Sequence, residues 1–272
     1  MRGLTKTALA AGVAVAAFST PTSANNSWGG YHWARTSNPL TVQLGDNVDS
    51  RWDAYLVEAN NDWNKSTVIK SPIVPGSTNP RNCRGVAGTI QVCNSTYGNN
   101  GWLGLATISI TGGTHITQGT TKLNDTYFNT PTYNTPAWRR LVTCQEIGHD
   151  YGLAHQDENF NNYNLGTCED YTSAPAGGVV NGFDYGPSNE HPNAHDYDQL
   201  ASIYSHLDST TTVAFRANGA GAFADPGNTP REWGRAIHFD SRGRPDMFER
   251  IDGPGLKTLT HVFWALETPR MR

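Results

Sequence analysis

The stretch NTPAWRRLVTCQEIGHDYGLAH, residues 134–155, predicts a helix that ends in a sharp turn. Thr135 suits the N-cap, and Pro136 suits the first helical position because its fixed backbone torsion matches a helix start. Gly152 is placed to stop the helix, since glycine readily adopts the left-handed conformation found just past a helix C-terminus. The chain can therefore turn back on itself after Gly152.

Four side chains of this stretch converge on one place. Gln145 and His149 are four residues apart, so they lie one turn apart on the same helix face. Glu146 lies about a hundred degrees round from Gln145, where a carboxylate can act on a water at a metal without ligating the metal. The turn lets His155 approach the same point. Catalytic zinc requires three such ligands and an open fourth position, so the spacing predicts a zinc site.

The composition indicates a folded domain that can carry this site. The chain has 272 residues, 37% of them hydrophobic, with 8 Trp, 11 Tyr and 9 Phe, enough for one full-sized domain plus an appendage. Charged residues make up 16% and the formal net charge is -4. Charge therefore gives no reason to expect nucleic acid or an anionic membrane as a partner. We expect a monomer.

Residues 1–24 have the pattern of a secretory signal peptide. Arg2 and Lys6 form the basic start, ALAAGVAVAAF the apolar run and TSA a small-residue cleavage site. The apolar run is well short of the roughly 20 residues that span a bilayer, which disfavours a membrane anchor. We therefore expect a secreted, extracellular protein.

Secretion makes the four cysteines candidates for disulfides. Four cysteines allow three pairings, of which we favour Cys83 with Cys93 and Cys144 with Cys168. The first disulfide would close a short loop. The second would tie the motif helix to the loop that follows it.

The rest of the main domain alternates strand-like and helix-like segments. Strand patterns occur at residues 40–45, 67–74, 88–94, 104–111 and 115–125, and helix patterns at 50–66 and 195–208. In the first of these helices an aromatic and apolar stripe recurs at helical spacing, formed by Trp52, Tyr55, Leu56, Ala59 and Trp63. The order of elements predicts an α+β fold, with a mixed, twisted β-sheet packed on the motif helix and a C-terminal helix.

The composition changes after Asp208. Residues 209–235 are rich in small side chains and read as a linker, and strand-like runs follow at AIHF (236–239) and LTHVFWAL (259–266). This extension is too short for a core of its own, so we expect it to pack on the main domain or on a partner. The predicted organisation is a signal peptide at 1–24, the main domain at 25–208, and a linker with a small β-rich C-terminal extension at 209–272.

The segment QEIGHDYGLAH, residues 145–155, resembles the metzincin signature HExxHxxGxxH, in which three histidines bind zinc and the glutamate is the general base. The matching residues are Glu146, His149, Gly152 and His155. Gln145 stands in place of the first histidine. The resemblance covers most of residues 25–208, because YHWARTSNPLTVQLG and DYDQLASIYSHL look like the opening and closing parts of matrixin catalytic domains.

This resemblance implies a secreted zinc endopeptidase that hydrolyses proteins or peptides. One catalytic Zn²⁺ would be held by His149, His155 and Gln145, and Glu146 would take a proton from the attacking water. The resemblance also allows structural Ca²⁺ as a second cofactor.

A second segment, GTCEDYTSA at residues 166–174, corresponds to the methionine turn that metzincins place beneath the metal. Glu169 stands where the methionine is expected. Tyr171 stands where astacin-like and serralysin-like members place a tyrosine near the zinc, so it is a candidate to stabilise an oxyanion. The alternative for Tyr171 is an ordinary packed aromatic side chain.

The substitution at Gln145 leaves several alternatives open. Losing even a partner behind a ligand weakens metal affinity 10 to 100-fold, about 1.4 to 2.8 kcal/mol, so an amide in place of an imidazole should cost at least that much. The candidates to fill the vacancy instead are Asp157, His191 and His195. Gln145 could equally serve only in helix packing, leaving a catalytically impaired metzincin-fold binding or structural protein. A carbohydrate-binding protein is a third hypothesis, based on Trp and Tyr in an Asn-rich chain.

Overall fold

The computed structural model describes residues 25–213 and 227–266, so the predicted signal peptide lies outside the described residues. The helices are α1 (Asp53–Trp63), α2 (Asp125–Phe128), α3 (Pro136–Asp150), α4 (Ala194–Ile203) and α5 (Pro230–Trp233). The strands are β1 (His32–Trp33), β2 (Leu40–Thr41), β3 (Gln43–Asn47), β4 (Ile69–Lys70), β5 (Ile73–Pro75), β6 (Thr89–Ser95), β7 (Trp102–Thr111), β8 (His115–Asn124), β9 (Val179–Val180), β10 (Phe183–Asp184), β11 (Arg235–Phe239), β12 (Pro245–Gly253) and β13 (Leu256–Trp264).

A mixed sheet organises the described part of the chain. Its nine described strands run in the order β11-β12-β13-β7-β8-β6-β3-β5, and β1 pairs with the start of β8. From β11 through β12, β13 and β7 to β8, each strand is antiparallel to the next. From β8 through β6 and β3 to β5 the pairing is parallel, as is the pairing of β1 with β8. The α+β fold with a mixed sheet that the sequence predicts is confirmed.

Helix α3 has the ends that the sequence predicts. The Thr135 hydroxyl accepts a hydrogen bond from the Trp138 amide at 3.3 Å, and Pro136 is the first helical residue. At the other end Gly152 has φ +97°, and a Cβ there would lie 2.1 Å from the Tyr31 carbonyl oxygen. Both the backbone conformation and the close approach therefore require glycine at this turn.

The core lies where α3 packs on the sheet and on α1. Leu141, Val142 and Ile147 of α3 are fully buried, and each such side chain stabilises the fold by about 1.5–3 kcal/mol. In α1, Trp63 belongs to the predicted stripe, and its indole donates to the Cys144 carbonyl at 3.0 Å. The disulfides are Cys83–Cys93 and Cys144–Cys168, the pairings favoured from the sequence.

The C-terminal segment extends the main sheet. Strand β13 pairs along almost its whole length with β7, and β12 and β11 follow outward from it. The predicted strands at 236–239 and 259–266 are present, and β12 between them was missed because its polar residues hide the apolar alternation. Trp102 of β7, Trp233 and Trp264 pack together in a small second core at this edge.

Helix α4 ends at Ile203, five residues before the end that the sequence predicts. The residues after it return alongside β1, where the Asp208 amide donates to the Arg35 carbonyl at 2.7 Å. The Asp208 amide thus finds its partner in this backbone contact rather than in a helical hydrogen bond. Within residues 25–213 and 227–266 no helix has both the length and the apolar character needed to cross a membrane.

Candidate metal centre

Three histidines meet beside a pocket, two of them buried and the third, His155, half-buried. His149 lies in the last turn of α3, His155 follows the Gly152 turn, and His261 lies in β13. Their ring centroids are 3.9 Å apart for His149 and His261, 4.5 Å for His155 and His261, and 4.9 Å for His149 and His155. One ring nitrogen from each lies within 4.8 Å of the others, so the three side chains could hold one metal ion.

The two histidines of the motif each direct one nitrogen toward this point. His149 Nδ1 lies 2.9 Å from the Leu153 carbonyl oxygen, a contact that requires the proton on Nδ1. His155 Nδ1 lies 3.4 Å from a Glu158 carboxylate oxygen. In the described chain neither Nε2 has a hydrogen-bond partner, although both atoms are buried. Such outer partners fix the tautomer and leave the other nitrogen free to bind metal.

His261 is oriented by a chain of hydrogen bonds that runs from Asp246 of β12 through Tyr171. The Tyr171 hydroxyl donates to Asp246 at 3.3 Å and lies 2.9 Å from His261 Nε2. Since the hydroxyl proton goes to Asp246, the hydroxyl oxygen accepts from His261 Nε2–H, and Nδ1 keeps its lone pair. Nδ1 is buried and has no hydrogen-bond partner among the residues described. Tyr171 therefore contacts a candidate ligand, and its ring also stacks on Phe160, with centroids 4.6 Å apart.

Burial favours the neutral form of two imidazoles in the cluster, His149 and His261. Burial lowers the pKa of His149 well below its usual value, and the neighbouring His155 lowers it further. Burial likewise lowers the pKa of His261, with His149 as the next cause. A histidine must be neutral to bind a metal ion, so the lowered pKa values keep these two side chains in the form that can bind one.

Glu146 lies directly beside this cluster. One carboxylate oxygen is 3.6 Å from His261 Nδ1, and neither oxygen has a hydrogen-bond partner in the part of the chain described. Burial raises the pKa of Glu146 well above its usual value, and nearby Asp150 raises it further. Gly104 of β7 makes room for it, because a Cβ there would lie 2.6 Å from Glu146 Oε1. A buried, unpaired carboxylate next to candidate ligands is typical of a functional site.

Gln145 contributes a different contact. Its side chain is buried, and its amide donates to the Cys168 carbonyl at 2.7 Å. The bond runs beside the Cys144–Cys168 disulfide and joins α3 to the loop at 166–174. The side-chain oxygen has no hydrogen-bond partner within the described ranges.

Glu169, at the position of the expected methionine, lies behind His149. Its Oε2 is 3.6 Å from His149 Nδ1. Gly148 of α3 accommodates it, since a Cβ at Gly148 would lie 2.0 Å from Glu169 Oε1. Burial raises the pKa of Glu169, and Asp196 and Glu146 raise it further. A carboxylate behind a histidine ligand is a common arrangement in metal sites.

None of the three substitute ligands considered from the sequence joins the cluster. His191 Nδ1 pairs with Asp62 at 2.7 Å, and Asp157 accepts from the Asn159 amide at 2.6 Å. His195 belongs to the first turn of α4. The third histidine is His261, from the segment whose role the sequence does not reveal. The one feature of the sequence that could have pointed to His261 is its position as a lone histidine inside the apolar strand LTHVFWAL.

A pocket of about 310 Å³ opens onto the three histidines. Its remaining wall is formed mainly by Trp28, Tyr31, Glu158, His238, Asp246 and Met247. Glu158 and Asp246 also lie within ligand distance of His155, and His238 Nδ1 contacts Asp246 at 2.8 Å. The wall is therefore acidic close to the imidazoles.

No family model matches the chain, and no curated protein matches it. Among solved structures it is similar to high choriolytic enzyme 1, a hatching enzyme zinc-protease from Oryzias latipes (medaka fish), with 14% identity and a TM-score of 0.35 over 64% of this chain and 94% of that one. Two structures of myroilysin are similar at 14% identity, with TM-scores of 0.35 and 0.32, over 64% of this chain and 96% and 86% of theirs. These similarities are distant, so the functional assignment depends on the geometry of the site.

Proposed function

We propose that this protein is a secreted zinc-dependent endopeptidase whose zinc is held by His149, His155 and His261. The observation that carries the proposal is the convergence of three imidazoles, each with one ring nitrogen that lacks a hydrogen-bond partner, beside a buried carboxylate that also lacks one. Three nitrogen donors suit zinc, and a catalytic zinc site keeps its fourth position open. When bound, the ion would supply an acidified water and a Lewis acid for the peptide carbonyl.

Glu146 is the general base of the proposed reaction. Burial raises its pKa above that of an ordinary glutamate, and a raised pKa suits a group that must both take and return a proton. It takes the proton from the attacking water and passes it to the leaving amine. The pocket above the histidines receives the peptide substrate.

Tyr171 acts in this proposal as a positioning residue. Its hydroxyl is engaged by Asp246 and His261, and its side chain is buried. It therefore holds the third ligand in the required tautomer, and the oxyanion role expected from the sequence gives way to this one. Gln145 has a packing role in this proposal, because its side-chain amide donates to the Cys168 carbonyl. His261 provides the third nitrogen for the metal.

The metzincin resemblance of residues 145–155 supports the same assignment. Within that clan the chain would be a matrixin-like member in which a histidine from a late strand compensates for the missing first ligand. Proteins or peptides are the expected substrates.

The test is zinc content after dialysis, measured together with casein cleavage. We expect the unmodified protein to bind zinc and cleave casein, and the His261→Ala variant to lose about one equivalent of zinc and the activity. His195→Ala is the matched control, because His195 lies outside the cluster, and it should keep both. Retention of full zinc and activity by a folded His261→Ala protein would overturn the assignment of His261.

A binding or structural protein is the second candidate function. It is favoured by two departures from the motif, Gln145 and Glu169. This candidate predicts no casein cleavage even when the zinc site is full. Cleavage that is abolished by Glu146→Ala would exclude it.

A further inference from the structure

A second group of histidines lies away from the pocket. It comprises His32 of β1, His115 at the start of β8, and His206 and Asp208 in the segment after α4. Parallel pairing of β1 with β8 puts His32 directly opposite His115. We call these four residues the distal cluster, since none of them lines the pocket.

The distances among three members of the distal cluster match those around a tetrahedral ion. His206 Nε2 lies 3.2 Å from His32 Nε2, and both nitrogens lie 3.6 Å from Asp208 Oδ1. Atoms that bind one zinc ion at about 2.0–2.1 Å in tetrahedral geometry lie about 3.3–3.4 Å from one another. The triangle formed by His32, His206 and Asp208 therefore has the size of one face of a zinc tetrahedron.

Backbone contacts orient two of these side chains for a ligand. His32 Nδ1 lies 2.9 Å from the Gly30 carbonyl oxygen, which puts the proton on Nδ1 and leaves a lone pair on Nε2, the atom that contacts His206. Asp208 Oδ2 accepts from the Arg35 amide at 2.9 Å, so Oδ1 is the oxygen turned toward the histidines. This arrangement of outer partners is the one found behind metal ligands.

His32, His206 and Asp208 form a group whose ligand atoms all lie within 4.8 Å of one another. His115 lies outside that group but contacts its carboxylate, which makes it the candidate for the fourth ligand. Its Nε2 lies 3.2 Å from the same oxygen, Asp208 Oδ1, and its side chain is 30% exposed. A set of three imidazoles and one carboxylate suits zinc, whereas calcium binds oxygen donors. The structural Ca²⁺ allowed by the sequence therefore does not fit this cluster.

We propose that the distal cluster binds a structural zinc ion that joins the N-terminal strand to the segment after α4. Four protein ligands would close the coordination sphere, the arrangement of zinc that stabilises a fold. The neighbouring Trp33 donates from its indole to the Asp150 carbonyl at the end of α3, at 2.9 Å. The ion would thus support the element that carries His149, and its binding does not depend on any catalytic activity.

The experiment compares zinc stoichiometry in three dialysed proteins by elemental analysis. The variant His115→Ala/His206→Ala should hold about one equivalent less than the unmodified protein. The control His195→Ala should hold the same amount as the unmodified protein. Equal zinc in the folded double variant and the unmodified protein would overturn the proposal, because the cluster would then be only a set of ion pairs.

A second variant keeps the proposal testable if the first does not fold. His149→Ala/His261→Ala removes two pocket histidines and leaves the distal cluster intact. It should retain one equivalent of zinc, and chelation should lower its melting temperature. A folded pocket variant with no zinc would contradict the distal site. If it retains zinc while the unmodified protein proves inactive, the distal site stands and the proposed endopeptidase function fails.

Discussion

The pocket and the distal cluster each gather histidines from separate segments of the chain, yet they surround a metal position differently. In the pocket the three imidazoles face a cavity of about 310 Å³ and have an unpaired carboxylate beside them. In the distal cluster the carboxylate itself lies among the ligand atoms, and His206 is half exposed. An open site with a free base suits chemistry, whereas a closed set of four ligands suits stability. The two sites should therefore respond differently to the same treatments.

The largest difference between the two sites should come from replacing Glu146, the proposed general base. Glu146→Gln keeps the shape of the side chain but removes its ability to take a proton. We expect kcat/KM for a casein-derived peptide to fall about 10²- to 10⁴-fold, with zinc at both sites unchanged. Parallel activity and metal measurements on one preparation check this. Unreduced turnover in the variant would remove Glu146 from the mechanism.

The next largest effect concerns the hydrogen bond between Tyr171 and His261. Tyr171→Phe removes the hydroxyl that accepts from His261 Nε2. Zinc affinity of the pocket should fall about 10- to 100-fold, while zinc in the distal cluster stays. Competition with a chelator of known affinity measures both. The control is Tyr163→Phe at an exposed tyrosine, and an equal loss in both variants would show a general rather than a local effect.

The third effect concerns stability and should come mainly from the distal cluster. A ligand present at 100 times its dissociation constant stabilises a protein by about 2.7 kcal/mol, which corresponds to about 5–10 °C for a chain of this size. Removing zinc from the His149→Ala/His261→Ala variant should lower its melting temperature by this amount. The His115→Ala/His206→Ala variant should lose the effect of the distal site. Calorimetry of each variant with and without chelator measures the two changes in melting temperature.

The smallest effect separates packing from ligation at Gln145. Gln145→Ala leaves the Cys168 carbonyl without its donor, so stability should fall by about 1–3 kcal/mol. Pocket zinc should remain, because His261 supplies the third nitrogen. Urea unfolding and zinc analysis measure the two quantities. Loss of pocket zinc from a folded Gln145→Ala protein would make the amide a ligand.

Much of the molecule is predictable because its signals are local. The bounds of α3 follow from Thr135, Pro136 and Gly152, and the strand runs follow from apolar alternation. These features depend on neighbours within a few residues, which a single sequence displays directly.

The third imidazole is not predictable in this way. His261 reaches His149 only because β13 pairs with β7, a contact between distant parts of the chain that carries no local signal. The distal cluster has the same origin, since it depends on the pairing of β1 with β8 and on the return of the chain after α4. At Gln145 the helical period identifies the face of the helix, but it does not identify what lies opposite that face.

The placement of His261 in β13 also sets an order of events during biosynthesis. The residues of the motif emerge from the ribosome well before residue 261, and at that stage the pocket has only two of its three imidazoles. The third arrives when β13 has been made and has paired with β7. A nascent or C-terminally clipped chain would therefore carry an incomplete centre. In the proposed endopeptidase, this order of events would postpone the complete centre until the whole sheet is assembled.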